Sequence, residues 1–408
     1  MPESPTAPLA GIRILDAATF VAGPFSASIL SEFGAEVIKI ENPSGGDPWR
    51  RYGTPTERDG DTLAWLSEGR NRVSLPIDLR NPRGAEIFLE LATQSDVVCE
   101  NFRPGTMEEW GLGWEDLRRV NPRLIMLRVS GFGQNGPYRD RPGFARIAQA
   151  FSGLTHLAGM PDGPPVTPGS TSLADYTTGL YGAIGILLAL RERDLSGEGQ
   201  FVDLGLYEAT WRLLDELAPA YAAHGIVRGR EGIGTALACP HGHFQTRDEQ
   251  WVAIACTSDR MFERLCQVMD RPDLWERFPL NADRVAHRVE VDGQISSFTT
   301  SLDQADLIQL CISGDVPCGP VNDIADIFKD PQIRARDNIV TLHDATAGEI
   351  AVPGVVPKLS RTPGSVTTAG PPLAAGAADV LRDVLEFDEE TIAELEAAGV
   401  IKLRSEMT

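Results

Sequence analysis

The chain is poor in cysteine, and what it has is unpaired. Its six cysteines, Cys99, Cys239, Cys256, Cys266, Cys311 and Cys318, are scattered, and none falls in a C-x-x-C pair. A chain of 408 residues needs no disulfide staples, and this spacing suggests none. The opening M-P-E-S-P-T-A-P-L-A-G lacks a basic stretch followed by an apolar one, so no secretory signal is expected. The longest apolar run, Tyr181 to Leu190, is about half the ~20 residues that a membrane span needs. The expected setting is therefore cytoplasmic and reducing, with no membrane partner. Positive charge is also scarce: 37 Lys and Arg stand against 58 Asp and Glu, a net charge of −21. That balance argues against nucleic acid as a partner, because such binding rests on neutralising phosphates. A local group of arginines can still hold a small anion.

Several common chemistries lack their motifs. The loop V-S-G-F-G-Q-N-G-P at Val129–Pro137 is glycine-rich and follows a strand-like run, but it is neither G-x-G-x-x-G nor G-K-[ST]. Nicotinamide and ATP chemistry are unsupported, and no serine nucleophile elbow is present. Cys239, His241 and His243, in C-P-H-G-H, suggest either a metal site or a turn entering a strand. They lack zinc-site spacing and a fourth ligand, so no metal is expected. The other histidines, His156, His224, His287 and His343, are isolated.

What the chain does have is alternation of strand and helix patterns. Ile12–Ala18 reads as a strand, Ser26–Phe33 as a helix stopped by Gly34, and Glu36–Glu41 as a second strand. Arg72–Leu79 reads as a strand, and Asn81–Gln94 as a helix with Asn81 as cap and Pro82 in its first turn. Asp96–Asn101, the short helix Trp114–Val120 and the buried strand Leu124–Ser130 continue the series. A long helix ends near Arg193, and Phe201–Leu206 is a further strand. This order predicts an α/β doubly wound sheet with ligands beyond the strand ends. Composition changes near Gly225. Phe244–Cys256 predicts a hairpin, and Ser258–Met269 and Leu302–Ile312 predict helices. The expected organisation is a large domain over 1–225, a small α+β domain over 226–325, and a tail over 326–408 returning to the first. The tail holds a Pro/Gly-rich stretch, Pro353–Pro372, and one final helix, Ala375–Ala398.

Two groups of residues carry candidate chemistry. Arg50, Arg51, Arg80, Arg103, Arg139 and Arg141 fall in or beside loops on the predicted ligand side. Guanidinium forks suit phosphates, although loop arginines are commonly just solvated. The second is a lone carboxylate, Asp175, at the threshold of the long apolar helix. Aspartate before a helix is an ordinary N-cap. A helix N-terminus also lowers a carboxylate pKa, and an ionised carboxylate can act as a nucleophile.

Taken in order, these pieces resemble the class III CoA transferases, the family of formyl-CoA:oxalate and carnitine CoA transferases. The resemblance rests on G-I-R-I-L-D at Gly11, A-G-P at Ala22, G-A-E-V-I-K-I-E at Gly34, G-D-P at Gly46 and D-V-V-C-E-N-F at Asp96. It continues through N-P-R-L-I at Asn121, S-G-F-G-Q-N-G-P-Y at Ser130, R-P-G-F at Arg141, D-G-P-P-V at Asp162, G-E-G-Q at Gly197 and V-P-C-G-P-V-N at Val316. It implies a Rossmann-like large domain built from both chain ends, a small domain, and an interlocked homodimer, or a heteromer with a paralogue. It implies that Asp175 is the nucleophile, forming an aspartyl anhydride and then an aspartyl-CoA thioester. The CoA thioester would be a substrate, and no cofactor would be permanently bound. Backbone N–H groups from a loop of the small domain would hold the oxyanion. CoA contacts carry over onto Val21, Ala22, Asn42, Ile77, Asp78, Leu79, Arg80, Asn101, Phe102 and Phe144, with Arg103, Arg141 and Arg146 as further sources of positive charge. Val21 stands where the formyl-CoA branch uses a glutamine, Asn42 and Glu109 where some members place arginines, and that branch's glycine loop is absent from Gly229–His241. Those departures point away from oxalate, while A-R-I-A-Q-A-F-S-G-L-T-H-L-A-G and V-P-C-G-P-V-N look most like transferases that use succinyl-CoA. The related α-methylacyl-CoA racemases are an alternative, as is a mainly structural subunit of a heteromeric transferase. Racemases need a histidine where Phe144 stands and a glutamate near Ser258.

Overall fold

The computed structural model describes residues 7–58, 60–169 and 171–404. It divides into two compact units. One gathers Met1–Leu154, Pro168–Glu216 and Arg334–Thr408; the other gathers Thr155–Thr167 and Leu217–Ile333.

The large unit is organised by one parallel sheet. β1 (Arg13–Asp16), β2 (Glu36–Glu41), β3 (Arg72–Pro76), β4 (Val97–Glu100), β5 (Ile125–Ser130) and β6 (Phe201–Gly205) lie in the order β3-β2-β1-β4-β5-β6. Every neighbouring pair is parallel. Parallel strands need crossovers, and helices supply them: Ala22–Glu32, Leu63–Glu68, Pro82–Thr93, Trp114–Val120 and Leu173–Ser196. The alternation of side chains along each strand sorts the apolar residues onto two faces. Leu15, Ile38, Leu75, Val98 and Met126 join the helix Pro82–Thr93 on one face. Ile14, Val37, Val97, Ile125 and Leu127 join Ala22–Glu32 and Leu173–Ser196 on the other. Asn81 caps Pro82–Thr93 through its side chain, which accepts from the Arg83 amide at 3.0 Å.

The C-terminal segment completes the first of these faces. Ala377, Leu381, Ile392 and Leu395 are buried in it, the Asp78 amide donates to the Val400 carbonyl, and the Ser74 amide donates to the Ala375 carbonyl. The single helix predicted for Ala375–Ala398 is two, Ala377–Asp383 and Glu389–Ala397. Glu386 between them has φ +58°, and Asp388 caps the second helix by accepting from the Thr391 amide. A hairpin of Ile339–Asp344 and Gly348–Pro353, which the sequence reading lacks, precedes the Pro/Gly-rich stretch. Its turn is tied by Asp344, which accepts from the amides of Thr346 and Ala347.

The small unit is built on an antiparallel sheet of His241–Gln245, Trp251–Ala255 and Cys318–Pro320. Phe244, Val252, Ile254, Phe262, Leu265, Val291, Ile295 and Leu307 form its core. The segment Thr155–Thr167, expected in the large domain, groups here instead. The Gly232 amide donates to the Gly159 carbonyl, and Arg230 donates to the carbonyls of Met160 and His156.

Candidate active site

The sheet order reverses between β1 and β4. The chain runs outward from β1 to β2 and β3, then returns to the other side of β1. In such sheets the loops leaving the two central strands part and open a crevice. Here that crevice is a cavity of about 250 Å³. Thr19–Ala22 line it after β1, Asn101–Pro104 after β4, Val129–Gly131 at the end of β5, and Leu206 just past β6. Arg141–Phe144 and Asp175 complete the wall.

Glycines bring Asp175 there. The helix Leu173–Ser196 crosses Ala22–Glu32 so closely that a Cβ on Gly179 would lie 3.0 Å from the Ala22 carbonyl oxygen, and one on Gly182 2.3 Å from Ser26 Oγ. The Ser26 hydroxyl donates to the Gly179 carbonyl at 3.0 Å. This contact sets the first turn of the long helix beside the start of Ala22–Glu32, which has no side-chain cap. Asp175 is not the N-cap. Ser172 holds that position and Asp175 is the third helical residue, with a hydrogen bond to the Ser172 side chain. Nor is its pKa lowered, as a helix N-terminus alone would do. Burial pushes it up to about 6, and the Ser172 bond only partly opposes this. A carboxylate of that pKa remains largely ionised at neutral pH yet is poorly solvated, which suits a nucleophile.

The turn opposite Asp175 is held by side chains on four consecutive backbone groups, from the Ala18 carbonyl to the Phe20 amide. Asn101 Nδ2 donates to the Thr19 carbonyl at 2.7 Å, and its Oδ1 accepts from the Thr19 amide at 2.8 Å. The Asn101 side-chain amide thus ties the loops after β1 and β4 together and shapes the crevice that it lines. Lys39, fully buried in the middle of β2, donates to the Ala18 carbonyl and forms ion pairs with Asp47 (3.0 Å) and Asp16 (3.5 Å). Asp47 in turn accepts from the Phe20 amide at 3.1 Å. Phe20 has φ +60°, a left-handed conformation that costs a non-glycine residue about 1–2 kcal/mol.

Of the residues expected to hold CoA, Val21, Ala22, Asn101, Phe102, Arg103, Arg141 and Phe144 share this cavity with Asp175. Arg103 and Arg141 are exposed at its edge, with the Arg141 guanidinium 3.5 Å from the centre of the Tyr138 ring. Phe144 stands edge-on to Phe20 and is 68% exposed. Asn42, Ile77, Asp78, Leu79, Arg80 and Arg146 lie outside the cavity lining. The side chains of Ile77 and Leu79 are committed to the core, Asn42 accepts from Ser44 in a local turn, and Arg80 is paired with Asp78 at 2.8 Å. Thr19, Phe20, Ser130, Gly131, Gly143 and Leu206 also belong to the cavity; the first four sit at or just beyond strand ends, where the sequence places ligands, but no individual role is assigned to them from sequence. The glycines of S-G-F-G and R-P-G-F were visible, but their meaning is a backbone contact across sequence. A Cβ on Gly131 would lie 2.8 Å from Gly143 Cα.

The two positions that a racemase would need are otherwise engaged. Phe144 offers no proton acceptor, and Ser258 caps the helix Asp259–Val268 by accepting from the Met261 amide. Among the described residues, no group of three or more His, Cys, Asp or Glu side chains is placed to hold a metal ion. The Cys239 thiol in C-P-H-G-H is pushed up to about 12 by burial and the neighbouring Asp292, which works against the thiolate a metal would bind.

The model of CoA-transferase family III matches residues 9–377. The chain is 53% identical over 400 residues to the succinyl-CoA–L-malate CoA-transferase beta subunit of Chloroflexus aurantiacus, covering 97% of this chain and 98% of that protein. It is also 53% identical, over 396 residues, to the alpha subunit from the same organism, covering 97% and 92%. Among solved structures it resembles a CAIB/BAIF family protein from Brucella suis, with a TM-score of 0.82 and 31% identity, over 93% of this chain and 100% of that one.

Proposed function

The chain belongs to CoA-transferase family III and is an enzyme that moves CoA from an acyl-CoA to a carboxylic acid; from that premise we propose that Asp175 is its covalent nucleophile, succinyl-CoA its donor and a small hydroxy-dicarboxylic acid such as malate its acceptor. The observation that carries this reading is Asp175 itself, a poorly solvated carboxylate in the crevice where the sheet order reverses.

The steps balance without metal or redox partner. An Asp175 oxygen attacks the thioester carbonyl of the donor, and the C–S bond breaks to give a mixed anhydride and CoA thiolate. The thiolate attacks the aspartyl carbonyl and expels the donor carboxylate, leaving an aspartyl-CoA thioester. The acceptor carboxylate attacks that thioester and releases the thiolate again. Attack of the thiolate on the acceptor acyl carbonyl yields the new acyl-CoA and restores Asp175. Each step trades one activated acyl bond for another, so the thioester energy is kept. Arg103 and Arg141 at the lip supply local positive charge for the CoA phosphates on a chain of net charge −21. The succinyl-CoA and malate assignments rest on the two Chloroflexus aurantiacus relatives at 53% identity, which are subunits of a succinyl-CoA–L-malate CoA-transferase.

The test is a product screen by mass spectrometry, with succinyl-CoA and acetyl-CoA offered against malate, glutarate, oxalate and butyrate. The expected major product is malyl-CoA from succinyl-CoA. Preference for acetyl-CoA, or transfer to butyrate in place of the dicarboxylates, would overturn the substrate assignment.

We further propose that the working enzyme is a homodimer. Leu180, Ile184, Leu187, Leu188 and Leu195 are each at least 44% exposed and recur at helical spacing on Leu173–Ser196. By length and composition this helix could span a membrane, a point the shorter run Tyr181–Leu190 does not reveal, but half of its apolar stretch is buried within the protein. An exposed apolar stripe of this size suits a protein interface, and a second copy is the occupant proposed; the relatives named as alpha and beta subunits keep a paralogous chain as the alternative. Sedimentation at low micromolar concentration should give a dimer from the purified chain alone. A monomer that gains activity only with a paralogous chain would show a heteromer instead.

A further inference from the structure

The turn that faces Asp175 includes a residue in a conformation it does not favour, and one buried carboxylate holds the amide of that residue. Asp47 lies outside the cavity lining and is 2% exposed. Its Oδ1 accepts from two amides, Phe20 at 3.1 Å and Trp49 at 2.8 Å, and its Oδ2 pairs with the Lys39 ammonium at 3.0 Å. Lys39 is anchored in β2 and reaches the Ala18 carbonyl on the other side of the same turn. The Phe20 amide and the Ala18 carbonyl are thereby gripped by one buried ion pair. Thr19 spans the two held atoms, and Phe20, whose amide is the far end of the grip, carries the left-handed φ of +60°; Phe20 and Val21 are part of the cavity wall.

A left-handed non-glycine residue persists only where its surroundings over-determine it, and such residues gather at functional sites. Released from Asp47, Phe20 would relax towards the ordinary right-handed or extended regions. That relaxation would swing Val21 and Ala22, the start of the helix that abuts Asp175. We propose that Asp47 is a positioning residue for CoA transfer: its carboxylate clamps the Phe20 amide and fixes the Phe20–Val21 wall at the distance the acyl group needs from Asp175. The proposal rests on the reading of Asp175 as nucleophile only for what is being positioned; the clamp itself stands on the hydrogen bonds and the φ of Phe20.

Asp47→Ala should lower kcat by roughly ten- to a hundredfold, the loss expected of a displacement near 1 Å, while KM for the acyl-CoA changes less than about threefold. Asp47→Asn keeps an oxygen that accepts from Phe20 and Trp49 but loses the charge, so its kcat should stay within about threefold of the unaltered enzyme. Phe20→Gly removes the conformational preference that the clamp resists, since glycine adopts positive φ freely. In that background Asp47→Ala should cost less than about threefold in kcat, whatever Phe20→Gly costs alone.

A purely structural Asp47 would lower the melting temperature without this coupling. The proposal is overturned if Asp47→Ala lowers kcat by the same factor with phenylalanine or glycine at position 20, if it leaves kcat unchanged, or if Asp47→Asn is as impaired as Asp47→Ala. Should Asp47→Ala fail to fold because Lys39 loses a partner, Lys39→Met/Asp47→Ala removes the ion pair as a unit and is compared with Lys39→Met in the same cycle. These ratios stand apart from the identity of the nucleophile, which is read by covalent trapping at Asp175.

Discussion

Asp175→Asn is expected to reduce transfer at least about 10⁴-fold, the scale seen when a covalent nucleophile is removed, while the protein stays folded. The same residue dictates how the unaltered enzyme responds to pH. Its carboxyl is pushed up to about 6 by burial, from an ordinary value of 3.8. Attack requires the ionised form, so kcat/KM should be flat above pH ~6 and fall about tenfold per unit below it. Stability moves the other way. The folded state binds the Asp175 proton more tightly than the unfolded state, so its contribution is fully present below pH 3.8 and is lost as pH rises through about 6. Above that the buried charge costs roughly 2 kcal/mol, allowing for its partial exposure to the cavity. Asparagine bears no such charge. Asp175→Asn should therefore melt no lower than the unaltered enzyme at pH 7–8, and this difference should shrink below pH ~4. A folded Asp175→Asn protein with near-normal turnover would remove the carboxylate from the chemistry.

Lys39→Met is expected to destabilise the large unit by about 3–5 kcal/mol, the usual cost of removing one member of a buried ion pair. Lys39, Asp16 and Asp47 have side chains 0%, 0% and 1% exposed. Burial pushes the Lys39 ammonium towards neutrality, but the Asp16 and Asp47 carboxylates outweigh it and raise its pKa. Asp16 retains Arg72 at 2.7 Å when Lys39 is lost, whereas Asp47 keeps no cation. Asp47→Asn combined with Lys39→Met should accordingly recover part of the loss. Chemical denaturation measures both. A cost under about 1 kcal/mol for Lys39→Met, or no recovery in the double variant, would contradict this account of the network.

The sheet and its crossovers were legible because their signals are local. Apolar runs bounded by turn residues marked the strands, and Asn81 with Pro82 marked a helix start. The break at Glu386 was hidden because both flanking helices pack into one core, and only a short link containing a left-handed residue separates them. The assignment of Thr155–Thr167 to the small unit goes with hydrogen bonds from a side chain and a backbone amide about 70 positions away. At the site, the identity of Asp175 was readable but its electrostatics were not. Position at a helix start argues for a lowered pKa, and burial in the crevice, visible only in three dimensions, reverses the sign. Lys39 was equally opaque. In E-V-I-K-I-E it looks like a solvated strand residue, yet the strand is internal to the sheet and the lysine is fully buried. Asn101 was readable as a cavity residue, but its pinning of the Thr19 backbone, 82 positions away, was not.

The most direct test of covalent transfer through Asp175 is to trap the intermediate. The enzyme is mixed with succinyl-CoA in the absence of acceptor, quenched with hydroxylamine, digested and sequenced by mass spectrometry. The account predicts a hydroxamate on Asp175 and on no other carboxylate, absent when succinyl-CoA is omitted and absent from Asp175→Asn. Transfer that proceeds at full rate with Asp175 unmodified, or a hydroxamate on a different aspartate or glutamate, would contradict it.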